Sequence, residues 1–404
     1  MRVLVHDYAG HPFEVQLSRE LARRGHGVTH AFAGGLLTPR GLLQGKHPDP
    51  DTLKICEIPM HPDYRRSKYN FIKRRHYEKS YGQLLGAKLS SARPDLVISA
   101  NTPSEPQWAF VRTAQRLGIP IISWVQDIYS EAVARLAPES FPLLGAWIGR
   151  YYRILDQKAL LASSAIIAIS EDFKEPLTRL GADIKKIFVI PNWAPLDELP
   201  PCPKDNPWSR KYGLTGQFVF LYSGTLAMKH NPDLILLLAR KYHNEPGVKV
   251  VVISEGPGAD YLQKSKHIEN LHNLLLLPYQ DFSVMPDALG SADVLLAILE
   301  RKAGIFSVPS KIFTYQCAGR PILAAIPSKN QAARYITKHE SGFCVEPEDN
   351  QGWLESATTL FSSSELRNRL GESARSFAEK TFDIRQIADR FEEIIRFAIA
   401  NPVR

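Results

Sequence analysis

The stretch Val308-Pro-Ser-Lys-Ile-Phe-Thr-Tyr-Gln-Cys-Ala-Gly-Arg-Pro-Ile-Leu-Ala-Ala-Ile326 holds the residues most suited to chemistry. It predicts a short helix that starts near Ser310, stops at Gly319, and is followed by a turn at Arg320-Pro321 and a buried strand. A helix start that carries Ser310 and Lys311 gathers backbone N–H groups, a hydroxyl and an ammonium in one place. That set suits a phosphate, because the amides and the positive end of the helix dipole both favour negative charge. Ser307 stands just ahead of it.

Three further loops offer related groups. Ser223-Gly-Thr-Leu-Ala-Met-Lys-His-Asn-Pro232 follows an apolar run. Within it Gly224 permits close approach of backbone, Thr225 adds a hydroxyl, and Lys229 adds a cation on a flexible stem. Ser254-Glu-Gly-Pro-Gly258 is a second glycine-containing turn around Gly256. Tyr261 holds the place of its last glycine, so the dinucleotide G-x-G-x-x-G pattern fails. Pro278-Tyr-Gln280 presents the Tyr279 ring where a nucleobase would rest. In the first half, Gly10-His11 opens the first loop, and Asp127 and Glu131 follow a later strand. Asp127 there either caps a helix or positions an acceptor hydroxyl.

Other chemistries do not assemble. Asp49-Pro-Asp51 mimics the D-x-D of metal-dependent transferases but lies in a proline-rich loop. There is no H-E-x-x-H, G-x-S-x-G or P-loop. The four cysteines, Cys56, Cys202, Cys317 and Cys344, lie far apart, so reduced thiols and no metal are expected. With 44% hydrophobic and 23% charged residues the composition is that of a globular protein. No apolar run reaches the ~18 residues of a membrane span, and Asp7 comes too early for a signal peptide, so a cytoplasmic location is expected. The formal charge of +8 is concentrated in the first half, above all in residues 65–79, where seven Lys and Arg interleave with aromatics. This segment reads either as a solvated helix face, with Tyr77, Tyr81, Leu84 and Leu85 turned inward, or as a contact for an anionic membrane surface at the inner face of the plasma membrane. Nucleic acid is not the expected partner, because no recognition signature accompanies the charge.

The elements that must position these loops alternate. Val3–His6, Val28–Phe32, Leu96–Ser99, Pro120–Val125, Ala165–Ile169 and Ile187–Ile190 are apolar runs without alternation, as in strands covered on both faces. Helical spacers separate them. After the prolines between Pro191 and Trp208 the alternation restarts at Phe218–Tyr222, Val248–Ile253, Leu274–Leu277, Val294–Ile298, Ile322–Ile326 and Phe343–Val345. Two parallel α/β halves are predicted: residues 1–195, a linker at 196–208, and 209–385, with a C-terminal helix at 386–404 that packs back toward the first half. Ligands of open parallel sheets bind beyond the carboxyl ends of the strands, so these loops are expected at a cleft.

The order Gly-Thr-Leu-x-x-Lys-His-Asn-Pro, Glu-Gly-Pro-Gly, Leu-Pro-Tyr, Val-Pro-Ser-Lys and Ala-Gly-Arg-Pro-Ile resembles the second domain of family 4 glycosyltransferases. Gly10-His-Pro-Phe13, Leu21-Ala-Arg-Arg-Gly-His-Gly-Val-Thr29 and Val189-Ile-Pro-Asn-Trp193 extend the likeness over nearly the whole chain, with the surface-polysaccharide members of bacteria as the closer match. The resemblance implies a GT-B fold of two Rossmann-like domains, a retaining and metal-independent transfer, and a UDP- or GDP-linked sugar as co-substrate, with no other cofactor. Carried over residue by residue, it implies that Lys229 and Lys311 neutralise the departing diphosphate; Asp127, from its place after a strand, is the third catalytic candidate. Gly224, Thr225, Gly256, Tyr279, Ser307, Ser310 and Thr314 would border the donor; Gly10, His11, Asn101 and Gln126 would face the acceptor. A lipid-linked glycan precursor is the expected acceptor.

Two departures stand out. The family's two glutamates, eight positions apart, are here Phe306 and Thr314, which removes contacts to the transferred sugar and the donor ribose. The family's His-Asp is here Gln126-Asp127, and an amide cannot act as a base at neutral pH. A nucleotide-sugar epimerase on the same fold and a non-catalytic binding partner are the alternative readings.

Overall fold

The computed structural model describes the chain apart from residues 37–39, 44–48, 65, 68–69, 141–143, 227–229, 302–307 and 404, and apart from the side chains at 136 and 138–140. The chain divides into two units, Met1–Pro191 with Ile384–Arg404, and Asn192–Asp383.

The first unit holds a seven-stranded sheet, every pair parallel, from strands β1 (Arg2–Asp7), β2 (Gly27–Ala33), β3 (Leu53–Ile58), β4 (Leu96–Ala100), β5 (Ile121–Val125), β6 (Ala165–Ala168) and β7 (Ile187–Val189). Their spatial order is β3-β2-β1-β4-β5-β6-β7, so the winding reverses between β1 and β4. The second unit holds a six-stranded parallel sheet of β8 (Phe218–Ser223), β9 (Val248–Ile253), β10 (Leu274–Leu277), β11 (Val294–Ile298), β12 (Ile322–Ala325) and β13 (Gly342–Val345), ordered β10-β9-β8-β11-β12-β13. Here the reversal falls between β8 and β11. At such a reversal the two flanking connections leave toward opposite faces and open a crevice at the strand ends.

The central strands are apolar on both sides because helices cover both faces; Val3, Leu4, Val5, Val97, Ile98, Leu221 and Leu295 are all buried. β3 was not among the expected strands. It is the sheet's edge and only partly buried, so its sequence LKICEI carries no continuous apolar signal. The helix Pro12–Arg23 starts with proline, carries Glu14 in its first turn and Arg23 in its last, and ends at Arg24 before Gly25.

Two sequence expectations change in detail. Residues 196–208 are not a free linker: they are fastened to the second unit. Arg320 donates to the Cys202 carbonyl (3.0 Å), Arg375 donates to the Leu199 carbonyl (3.0 Å), and the Asn206 amide bonds Asp287 O (2.9 Å). Proline-rich backbone has few N–H donors, so its carbonyls are satisfied by these guanidinium and amide groups. The last helix spans Ile384–Ala400 and belongs to the first unit, with Phe391 against Trp124 (4.8 Å between centroids) and Phe397 against Phe188 (5.0 Å). Arg24 clamps it by donating to Asp389 (2.7 Å) and Glu392 (3.1 Å).

Candidate functional site

In the second unit, three loops are knit around the end of β8. Lys311 begins the helix Lys311–Ala318, and its Nζ stands 3.5 Å from the centroid of the Tyr222 ring. An ammonium over the face of a tyrosine gains about 0.5–2 kcal/mol from the ring quadrupole. Gly224 follows on from Ser223 with φ of +119°, and a Cβ there would lie 3.4 Å from Lys311 Nζ and 3.5 Å from Cε. Glycine is therefore favoured by the backbone conformation, while the cation sits at ordinary contact distance from it. The fully buried Tyr315, one turn into the same helix, locks this arrangement to the strand: its hydroxyl accepts from Ser223 N (2.9 Å) and donates to Ser223 O (3.2 Å). Burial pushes this phenol up, so the O–H stays protonated.

Neighbouring loops attach to Thr225 and Leu226. Tyr222 O–H donates to the Thr225 carbonyl (2.7 Å), Tyr279 O–H donates to Thr225 Oγ1 (3.2 Å), and Tyr279 N donates to Glu255 Oε1 (3.2 Å). Leu226 N donates to Ser254 Oγ (3.0 Å). A Cβ at Gly258 would fall 2.2 Å from Leu226 O, so this glycine lets the second loop lie directly on the first. Gly256, with φ of +97°, precedes the helix Pro257–Glu269. Gly224, Thr225, Gly256, Tyr279, Ser310, Lys311 and Thr314 all lie on the loops and helix start around the ends of β8 to β11, and all are partly exposed. Lys229, Ser307 and Phe306 lie outside the described residues.

One part of the anion-site expectation is corrected. Ile312 N donates to Pro309 O (3.2 Å) and Phe313 N to Ser310 O (3.1 Å), so the first turn uses these two amides internally. What this helix start offers is therefore the ammonium and the dipole more than a row of open N–H groups. Tyr222, Tyr315 and Glu255 were missed by the sequence reading: aromatic and acidic residues at strand ends and inside a helix carry no spacing signal of their own.

In the first unit, the loop after β1 is built on a buried carboxylate. Asp7 Oδ1 accepts from Ala9 N (2.9 Å) and Gly10 N (2.8 Å), which folds the turn back on itself. Gly10 has φ of +81°, and His11 precedes the helix Pro12–Arg23 with Nδ1 3.8 Å from Asp7 Oδ1. Asn101, after β4, takes the left-handed conformation at φ of +49°, in the loop that flanks the same reversal of strand order. After β5, Gln126 is buried and Asp127 exposed. The start of the helix Tyr129–Ser140 is met by Asp156, which accepts from Ser130 N (2.9 Å), so this carboxylate and not Asp127 serves the helix. Glu131 pairs with Arg153 (3.3 Å).

The sequence reading expected no metal ligands, and the four cysteines are free thiols. Among the described residues one cluster has ligand character nonetheless: Asp7, His11 and Glu14 each offer an atom within 4.8 Å of the others. The spacing Asp-x3-His-x2-Glu across a strand end and a helix start is the signal that was passed over. Burial opposes ionisation at Asp7, but His11, Glu14 and His30 beside it hold its pKa below the ordinary carboxylate range. Burial and then the charge of Asp7 push Glu14 well up, and burial lowers His30 to about 4.

Residues 15–193 match the family model "Glycosyl transferase 4-like domain", and residues 205–377 match "Glycosyl transferases group 1". The chain belongs to the glycosyltransferases. Its two parallel-sheet halves are those of the GT-B fold. The chain is 24% identical over 269 residues, 66% of each chain, to a probable glycosyltransferase, WbjE, of Pseudomonas aeruginosa. It is 24% identical over 280 residues to a D-inositol 3-phosphate glycosyltransferase of Xylanimonas cellulosilytica, covering 66% of this chain and 64% of that one. These matches span just under two thirds of the relatives' length. Among solved structures, Anabaena HepE in complex with UDP and glucose superimposes with a TM-score of 0.70 at 16% identity, covering 98% of this chain and 99% of that one. Sucrose-phosphate synthase of Thermosynechococcus elongatus gives a TM-score of 0.74 at 13% identity, with 99% of each chain covered.

This family member's basic segment is only partly turned outward. Arg74 donates to Glu78 (2.7 Å) and bonds Tyr129, and Arg75 pairs with Glu105 and donates to Tyr151 (2.7 Å). Arg66, Lys73 and Lys79 are exposed; Arg65 and Lys68 lie outside the described residues. Tyr81 and Leu85 are buried, as a helix face packed inward requires, while Leu84 is exposed. No helix among the described residues is long and apolar enough to cross a membrane.

Proposed function

We propose that this glycosyltransferase moves a sugar, with retention at its anomeric carbon, from a nucleoside diphosphate to a lipid-linked glycan precursor at a membrane surface. The observation that carries the reading is the Lys311 ammonium, seated on Tyr222 against Gly224 beside the strand-order reversal of the second unit. Fixed cations and dipoles aimed at a leaving group stabilise the charge that grows as its bond breaks. In the proposed reaction the bond from the anomeric carbon to the diphosphate oxygen breaks and an acceptor oxygen takes its place on the same face. The acceptor's proton leaves with the departing phosphate. Lys311, with Lys229 and the Ser310 end of its helix, takes up the diphosphate charge, so no metal is required there. Thr225, Gly256 and Tyr279 border the nucleotide, with Thr314 at the ribose and Ser307 a further donor-binding residue. Gly10, His11, Asn101, Gln126 and Asp127 belong to the acceptor side, with Asp127 orienting the hydroxyl.

The uridine nucleotide of HepE supports UDP as the first donor to test. The structure of WaaG, a glycosyltransferase involved in lipopolysaccharide biosynthesis, supports a surface-polysaccharide setting. A peripheral position at the inner face of the plasma membrane is supported by the exposed Lys73 and Arg66, together with the exposed Ile72 (80%), Leu144 (61%) and Trp147 (70%) of the same unit. Apolar side chains flanked by cations suit an interface with anionic lipid. The test is a panel of UDP- and GDP-sugars with lipid-linked acceptors, reading released nucleoside diphosphate and glycosylated lipid. Acceptor-dependent release with one donor is expected. Donor binding without consumption across the panel overturns the reading in favour of a binding protein, and conversion of donor alone to an epimer overturns it in favour of an isomerase.

A further inference from the structure

The basic segment of the first unit commits two adjacent arginines to partners within that unit. Arg74 and Arg75 lie near the start of the helix Phe71–Ala92, where successive side chains leave the axis ~100° apart. They therefore reach different neighbours. Arg74 Nε donates to Glu78 Oε1, one turn on (2.7 Å), and its Nη2 bonds the Tyr129 hydroxyl. Tyr129 opens its own helix two residues after Asp127. Glu78 is buried, and the same Oε1 accepts from Tyr64 O–H (3.0 Å). The Tyr64 oxygen accepts in turn from Tyr8 O–H (3.0 Å), and Tyr8 stands in the loop after β1, two residues before Gly10. Burial pushes the Tyr64 phenol up to about 12 and Tyr8 well up too, so both stay protonated and donate.

Arg75 serves the remaining loop. Its Nε donates to Glu105 Oε1 and its Nη2 to the Tyr151 hydroxyl (2.7 Å), which itself donates to the same Glu105 oxygen (2.8 Å). Glu105 is buried in the first turn of the helix Ser104–Arg116, four residues after Asn101. The loops that carry Gly10 and His11, Asn101, and Gln126 and Asp127 come from three different strands, yet each is traced by hydrogen bonds to the same pair of arginines. A guanidinium suits this task because its planar fork donates in two directions and stays charged. We propose that Arg74 and Arg75 are positioning residues, which hold the loops after β1, β4 and β5 in one register for the acceptor. The inference rests on the acceptor-side reading of those loops given above. Carboxylates as buried as Glu78 and Glu105 are costly without their cations, so both forks are kept wherever the fold is kept.

The test uses the full chain and two double variants, Arg74→Met with Glu78→Gln, and Arg75→Met with Glu105→Gln. Each pair removes both charges at similar volume and leaves no buried carboxylate alone, so the melting temperature should stay close to wild type. Amide hydrogen exchange, read by mass spectrometry, needs no substrate. It should quicken at residues 8–11 and 127–131 in the first double variant and at 101–105 in the second. In steady-state assays with a UDP-sugar and a lipid-linked acceptor, kcat/KM for the acceptor should fall ~10–100-fold, since a misplacement of about 1 Å costs up to ~100-fold. Donor KM and hydrolysis of the donor without acceptor should be unchanged. Exchange that quickens only within the helix Phe71–Ala92 overturns the proposal, even where the wild-type chain transfers sugar. Equal loss of transfer and hydrolysis, or a loss that follows a lower melting temperature, also overturns it and assigns the arginines to packing. A wild-type chain that transfers sugar to no acceptor overturns the proposed function instead, and exchange at the three loops then supports or overturns their tethering by itself.

Discussion

The loop after β8 and the loop after β1 occupy the same place in their two sheets, each beside the reversal of strand order, yet they are built from opposite materials. The β8 loop is held by neutral phenols and hydroxyls, with one ammonium set on a ring at its edge. The β1 loop is held by buried carboxylates and imidazoles. The difference teaches which ligand each half suits. A loop edged by an ammonium and a helix start suits an anion. A loop built on a buried carboxylate and imidazoles suits a neutral hydroxyl better than an anion. The sharpest way to break this contrast is Lys311→Ala. It should lower donor-dependent turnover by ~10²–10³-fold, the scale on which removing one fixed charge-stabilising group acts. Released nucleoside diphosphate checks it. A near-normal rate would show that the second unit does not work as a charge clamp.

Gly224→Ala tests the same clamp without removing charge. The substitution forces a side chain into a left-handed backbone conformation and toward the Lys311 ammonium. With strain of about 1–3 kcal/mol at such a position, the melting temperature should drop by several degrees and kcat/KM for the donor should fall roughly 10–100-fold. A variant that loses its fold and its activity together would mean that the glycine serves the strand end and not the seat of the cation.

Most of the fold was legible because both sheets are covered on two faces. Continuous apolar runs such as Val250 to Ile253 and Leu274 to Leu277 announce buried parallel strands, and glycine and proline mark their ends. β3 was not legible, because an edge strand with Lys54, Cys56 and Glu57 half in water looks like a loop. The tether of residues 196–208 was hidden too: it depends on Arg320 and Arg375, distant in sequence. Of the loops around the end of β8, Gly224, Gly256 and Lys311 were readable from their place after strands. Tyr222 and Tyr315 were not, since a buried tyrosine near a strand end reads as core until its hydroxyl finds Thr225 or Ser223. In the first unit, Asp7 and Glu14 escaped notice because β1 and the first helix look complete without them.

Asp127→Asn probes the other side of the contrast. Asp127 is exposed, and the nearby helix start is already served by Asp156, so the substitution should leave stability within about 0.5 kcal/mol of wild type. Transfer to the acceptor should fall by at least ~10-fold, the low end for a group that positions or polarises a reacting hydroxyl. Slow hydrolysis of the donor alone should be unaffected. Equal loss of both would move Asp127 to the donor side and blur the division between the two units.

Tyr315→Phe should have the smallest effect, and it sharpens the contrast most finely. Its hydroxyl satisfies both backbone groups of Ser223 from inside the helix that carries Lys311. Removing it leaves a buried N–H and a C=O each short of a partner, at a cost of about 1–3 kcal/mol in stability. The ring remains to fill the core, so the fold should survive and the melting temperature should drop by several degrees. Donor affinity should weaken by only several-fold, because Lys311 keeps its seat on Tyr222 while the strand end that carries Gly224 loosens. A donor KM that is unchanged despite the lower melting temperature would mean that the Tyr315 clasp serves packing alone, with the geometry of the cation fixed by Tyr222 and Gly224. A loss as large as that of Lys311→Ala would mean the reverse: the neutral clasp, and not the charge itself, sets where the diphosphate can bind.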